Sequence, residues 1–209
     1  MAHPRLELAD WKRRVLAMYS RVREAGGDPW ACGEFRAARD ELFRAHPESP
    51  LPRDSRAGFP GVPYFTHRRE MRVEAALVPD DSGAELLIPT STGEPTRFTR
   101  IGTVHPSLEG REVSLAVYWL EGYGGGLFLP FRDALAGGAT YGGGRYLLDT
   151  VKGADLGTDT GGERLVLDFN YAYNPSCAYD PRWSCPLAPP ENRLDLAVEA
   201  GERMPSWDD

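Results

Sequence analysis

The sequence predicts an α+β fold that is mainly β, with an N-terminal helical hairpin packed on an antiparallel β-barrel or sandwich. Two observations predict it. Apolar residues recur at helical spacing over positions 1–46 and at a spacing of two from Tyr64 onward. The chain also carries 23 glycines and 18 prolines in 209 residues, a supply of turns that suits many short strands. The organisation that follows is a helical hairpin over 1–46, a loop or linker over 47–63, and an antiparallel β domain over 64–209 with a C-terminal loop rich in proline and aromatics.

Leu6, Trp11, Val15, Tyr19 and Val22 fall close to one face of a first helix. Gly26-Gly27 breaks it. Asp28-Pro29 then supplies an N-cap followed by proline at the first helical position. The second helix runs from Pro29 to Ala45, with Trp30, Phe35, Leu42 and Phe43 apolar and His46-Pro47 at its end. Gly33 weakens it. The following stretch to position 63 is a loop with Phe59 and Val62 as apolar anchors.

Strands come next. Met71, Val73, Ala75 and Leu77 alternate, Leu86 and Ile88 follow the turn at Pro79–Gly83, and Thr96–Val104 gives a third. Val113, Leu115, Val117 and Trp119 form the clearest alternation, and Leu127–Phe131, Arg145–Val151, Arg164–Ala172 and Leu194–Ala200 complete the series. No helix-length segments separate them, which disfavours a parallel doubly wound sheet.

Hydrophobic residues at 41% and charged residues at 26% are those of a folded chain. A formal net charge of −7 argues against nucleic acid and anionic membranes as partners. No segment has the length and apolarity of a membrane span or the pattern of a secretory leader, so the expected location is the cytoplasm, with the three cysteines as reduced thiols.

The chemistry-bearing residues concentrate in the last third. In Arg164–Ala172, alternation puts Asp168 and Asn170 on one face, directed either to solvent or into a barrel interior. Arg145 and Asp149 share a face of the preceding strand, which opens on Gly142-Gly143-Gly144. That glycine run has neither the spacing of a dinucleotide fingerprint nor the lysine of a P-loop. Arginine beside carboxylates and an amide suits a polar or anionic ligand, and suits equally a salt-bridged structural network.

Asn170–Asn192 holds Tyr171, Tyr173, Tyr179 and Trp183 between the turn initiators Asn174-Pro175 and Asp180-Pro181. So many rings require an ordered loop, which is either the wall of a pocket or a plug. Glu191 follows a double proline and either caps or bridges this loop, and Glu199 and Glu202 add two acids nearby. Cys177 and Cys185 are too far apart in sequence for the usual zinc spacing, and His3, His46, His67 and His105 are scattered, so no metal or other cofactor is expected. The two cysteines read as facing thiols or, under oxidant, a disulfide. A cysteine–histidine catalytic pair stays open but has no local signature.

These residues carry a family resemblance. Arg100–Val104, Thr140–Leu147, Leu167–Pro175, Cys177-Ala178-Tyr179, Cys185-Pro186, Pro189–Asn192 and Ala200-Gly201-Glu202 resemble, in order, the motifs of DUF1684, a bacterial and archaeal family of unknown function. The resemblance spans most of the chain from the helices to Glu202 and implies no activity. The candidate site is therefore drawn from the residues themselves. Asp168 is the acid-base candidate. Arg100 and Arg145 hold a polar or anionic group, Tyr141 and Asn170 orient it, and Tyr173, Asn174, Tyr179, Glu191 and Asn192 form the wall. Two functional readings follow: a protein that binds or processes a small molecule, by metal-independent hydrolysis or elimination if it is an enzyme, and a non-enzymatic binding or scaffold protein in which the same residues form a buried network.

Overall fold

A computed structural model of the chain describes residues 3–93 and 95–205. α1 (Pro4–Glu24) is capped by the His3 ring, which accepts from the Arg5 N–H. α2 (Pro29–Ala45) is capped by Asp28, whose carboxylate accepts from the Trp30 N–H at 2.9 Å. Gly26 and Gly27 make the turn between them at φ 59° and 95°. Gly33 costs α2 about 1 kcal/mol against alanine. Burial of Ala31, Cys32, Phe35, Leu42 and Phe43 on one face of α2 offsets it.

Nine strands follow among the described residues: β1 (Arg72–Pro79), β2 (Glu85–Ile88), β3 (Thr96–Val104), β4 (Ser107–Leu108), β5 (Arg111–Glu112), β6 (Leu115–Leu120), β7 (Gly126–Phe131), β8 (Arg145–Asp149) and β9 (Arg164–Asp168). β4 and β5 form a small separate hairpin. The other seven make one antiparallel sheet in the order β8-β7-β6-β3-β1-β9, with β2 also paired to β3. The sheet curls into a half-barrel, and β8 and β9 are its unjoined ends. β1 turns the corner, pairing β9 through Arg72–Ala76 and β3 through Leu77–Pro79. Gly102 sits beside a bulge in β3, where a Cβ would strike the Val78 carbonyl and the Leu77 side chain.

Both faces of the sheet are covered. Leu115, Val117, Leu129, Phe131, Leu147 and Leu167 pack with Met18, Tyr19, Phe35 and Leu42 from the helices. On the opposite face Ile88, Phe98, Ala116, Tyr118, Phe128 and Tyr146 form a second cluster. β6 therefore buries consecutive residues, Leu115 through Tyr118, as a doubly covered strand must.

Three expectations are corrected. The strand expected over Arg145–Val151 ends at Asp149, where Thr150–Lys152 forms a 3₁₀ turn. The strand expected over Arg164–Ala172 ends at Asp168, whose carboxylate accepts from the Asn170 N–H and caps a 3₁₀ turn over Phe169–Tyr171. The strand expected over Leu194–Ala200 is absent. Its alternation does record burial, since Leu194, Leu196, Val198 and Ala200 are all buried. Its backbone groups bond partly to the main chain of 132–134, the Leu194 N–H donating to the Arg132 carbonyl and the Ala134 N–H to the Leu196 carbonyl, and partly to side chains: the carbonyls of Val198, Ala200 and Glu202 accept from Arg145, and the Val198 N–H donates to Asp133.

The chain from 172 to 203 is thus an irregular strap, tied to the rest by single bridges at Tyr146–Tyr173, Thr90–Pro186, Arg132–Arg193 and Tyr64–Glu202.

Candidate ligand cleft

The residues singled out from sequence do not form one cluster. Arg145 is 1% exposed, its guanidinium turned to the three strap carbonyls and, at 3.5 Å, to Asp133. Burial pulls its pKa down to about 10 against the pull of Asp133 and Glu202, and it stays a cation at neutral pH. Asn192 is fully buried. Its Oδ1 accepts from the Ala116 N–H at 2.7 Å, and its Nδ2 donates to the Ala116 and Pro130 carbonyls, so it bridges β6 and β7. Its neighbour Glu191 accepts from the Tyr118 hydroxyl at 2.7 Å. Arg100 lies on β3, 3.2 Å from Asp80 and donating to Thr103. Tyr141 stands beside Cys177, its hydroxyl 3.5 Å from the sulfur.

Asp168 and Asn170 meet directly, Asn170 Nδ2 donating to Asp168 Oδ1 at 2.8 Å. Asn170 also exchanges two hydrogen bonds with the Arg68 backbone. Burial raises the Asp168 pKa against the hydrogen bonds from Asn170. No ion pair to Asp168 occurs among the described residues. It lines a cleft of about 170 Å³ with Arg23, Gly26, Gly27, Arg72 and Thr158.

Tyr173, Asn174 and Tyr179 do converge, and they do so with residues the sequence reading did not select. The strap from Tyr173 to Tyr179 roofs a cleft whose other walls are Trp11, Val15 and Tyr19 of α1, Arg39 and Phe43 of α2, and Tyr146 with Lys152 at the end of β8. Its enclosed volume is about 60 Å³. That is far below the ~300 Å³ and upward of drug-sized pockets, and it fits a ligand of a few atoms.

Two ion pairs flank the cleft. Arg39 Nε donates to Glu202, which is 1% exposed and takes further bonds from the Asn174 N–H and the Tyr179 hydroxyl, each at 2.7 Å. Burial disfavours the Arg39 charge, and Glu202 more than restores it. Lys152 lies 3.3 Å from Asp149, to which Tyr173 donates at 3.4 Å. The Lys152 side chain lines the cleft and is 57% exposed. Burial raises the pKa of Tyr19, Tyr173 and Tyr179, which are neutral phenols at physiological pH.

One polar atom in this lining lacks a partner. Asn174 is 1% exposed and its Nδ2 donates to the Arg203 carbonyl, but its Oδ1 accepts nothing. Buried acceptors are rarely left so.

Among the described residues, no group of three or more His, Cys, Asp or Glu is placed to hold a metal ion. No helix among them is long and apolar enough to cross a membrane.

The sequence did carry a signal for Arg39. It falls between Phe35 and Phe43 at spacings of four, a cation on the apolar stripe of α2. Lys152 carried none, because its role depends on β8 ending early.

A family model described as "Protein of unknown function (DUF1684)" matches residues 57–203, starting beyond the helical hairpin that the resemblance included. The fold is similar to the solution NMR structure of an uncharacterised protein from Haloarcula marismortui, with 34% sequence identity and a TM-score of 0.59 over 82% of this chain and 91% of that one. No curated protein matches.

Proposed function

The chain belongs to the DUF1684 family of proteins of unknown function, and from that premise we propose that it binds a small molecule beneath the strap. Asn174 lines the cleft, and its buried Oδ1, without a partner, carries this reading. A buried acceptor is satisfied by a hydroxyl or N–H donor. Lys152, at the mouth, favours a negative charge on the same ligand. The small volume limits the rest. The ligand class that meets these conditions is a short hydroxylated carboxylate.

The test is a thermal-shift titration with lactate and glycolate against propionate and acetate, which lack the donor. The hydroxy acids raise Tm and their parents do not. Lys152→Gln, a change at an exposed side chain, weakens hydroxy-acid binding by about tenfold, the factor that corresponds to 1.4 kcal/mol. Equal response to both acid classes, or equal affinity in the variant, contradicts the reading.

A second reading concerns chemistry. Asp168 is a buried carboxylate with a raised pKa, facing a cleft that also holds Arg72 and Arg23. Such a group is fitted to acid-base work in a metal-independent hydrolysis or elimination. Its ligand would sit apart from the strap cleft, since the two clefts share no lining residue. The scaffold alternative fits Arg145, Asn170 and Asn192, whose polar atoms are mostly spent on the fold. We propose a reducing compartment such as the cytoplasm, in which three cysteines stay thiols. The net charge of −7 argues against nucleic acid as its partner.

A further inference from the structure

Cys177 and Cys185 lie on the strap with seven residues between them, both buried and close enough for each to act on the other's titration. The geometry points to a redox-reactive dithiol: we infer that Cys177 attacks a peroxide and Cys185 resolves the product to a disulfide. This stands independently of what the strap cleft binds.

The surroundings are built for a pair with unequal roles. Cys177 is the middle residue of a 3₁₀ turn over Ser176–Ala178, and the Tyr141 hydroxyl stands 3.5 Å from its sulfur. Cys185 is held from the other side by Ser91. The Ser91 N–H donates to the Cys185 carbonyl at 2.9 Å, and the Cys185 N–H donates to the Ser91 hydroxyl at 3.1 Å. The neighbouring Cys185, with Tyr141 and Ser91, pulls the Cys177 thiol down against the effect of burial, while Cys185 is pushed up in return. Cys177 is the more open of the two, at 9% exposure against 3%. Peroxide is little larger than water. Cys32 lies elsewhere, on the buried face of α2, where burial raises its pKa.

The steps balance. The Cys177 thiolate attacks one peroxide oxygen; an S–O bond forms, the O–O bond breaks, and hydroxide leaves. The Cys185 thiol gives its proton to that hydroxide and attacks the sulfenic sulfur; the S–S bond forms and the S–O bond breaks. The second hydroxide leaves and takes up the proton Cys177 had released. Two thiols and one hydrogen peroxide become one disulfide and two waters. A thiol reductant reverses the change by exchange.

The experiment exposes the reduced full-length chain to hydrogen peroxide and follows intact mass and non-reducing tryptic peptides. Cleavage after Arg182 places the two cysteines on separate peptides. The mass falls by two hydrogens, the Cys177 and Cys185 peptides are joined, and dithiothreitol restores both. In Cys185→Ser, one oxygen adds at Cys177 instead. The inference is overturned if the wild-type mass is unchanged, if oxygen atoms add without a cross-link, or if the cross-link involves Cys32. An unoxidised Cys177 in Cys185→Ser removes its role as the attacking thiol. The wild-type result decides the pair even if the variant folds poorly.

Discussion

Arg145 shows how a residue that looks like a ligand anchor becomes a structural one. Its strand address was readable; its partners were not, because they are main-chain carbonyls 53 to 57 residues further along the chain. Arg145→Met leaves those carbonyls and Asp133 buried without a cation. It costs roughly 3–5 kcal/mol by urea denaturation, and a loss under about 1 kcal/mol would contradict the role given to Arg145. Asp168 behaves differently. Its pKa is raised by burial above its ordinary 3.8. Its contribution to stability is therefore full below that value and is lost as pH rises through the raised one. Asp168→Asn does not titrate and can still accept from the Asn170 N–H. Its stability relative to wild type thus improves from acid toward neutral pH in paired melting curves. A gap that is flat with pH, or that widens toward neutrality, contradicts the raised pKa.

At the scale of elements, the helices and most strands were legible from the period of their apolar residues. α2 begins at the expected Asp28-Pro29, and β3 spans the expected Thr96–Val104. Two of the misreadings share a cause. In 164–172 and 194–200 the apolar alternation runs past the point where strand pairing stops, because burial continues while side chains take over some of the backbone hydrogen bonds; in 145–151 burial ends with the strand, since Thr150–Lys152 holds no buried residue. Asp168 capping its own 3₁₀ turn and Arg145 holding the strap both do this. Asn192 is the counterpart within the sheet, bonding β6 and β7 from the strap. Asn192→Ala orphans an N–H and two carbonyls and lowers stability by at least about 2 kcal/mol in denaturant titrations. A neutral result would mean that the strap is held by its other ties alone.

Over the whole molecule, the half-barrel is completed by parts remote in sequence: the hairpin fills one face and the strap crosses from β8 toward the α2 side. Tyr173, Asn174 and Tyr179 could be chosen from sequence because the strap is locally unusual, while Arg39 and Lys152 join them only through tertiary packing. Removal of residues 1–46 uncovers the apolar face formed by Leu115, Val117, Phe131 and Leu167. The truncated chain is expected to aggregate or to bind a hydrophobic dye strongly, and a well-dispersed amide spectrum from it would show a self-sufficient sheet. The central claim is that a small ligand seats where the hairpin and the strap meet. Amide chemical-shift mapping with lactate tests it most directly: the account predicts saturable shifts centred on Tyr19, Lys152, Tyr173 and Asn174, whereas no shifts, or shifts centred on Arg23, Gly27, Thr158 and Asp168, would contradict it.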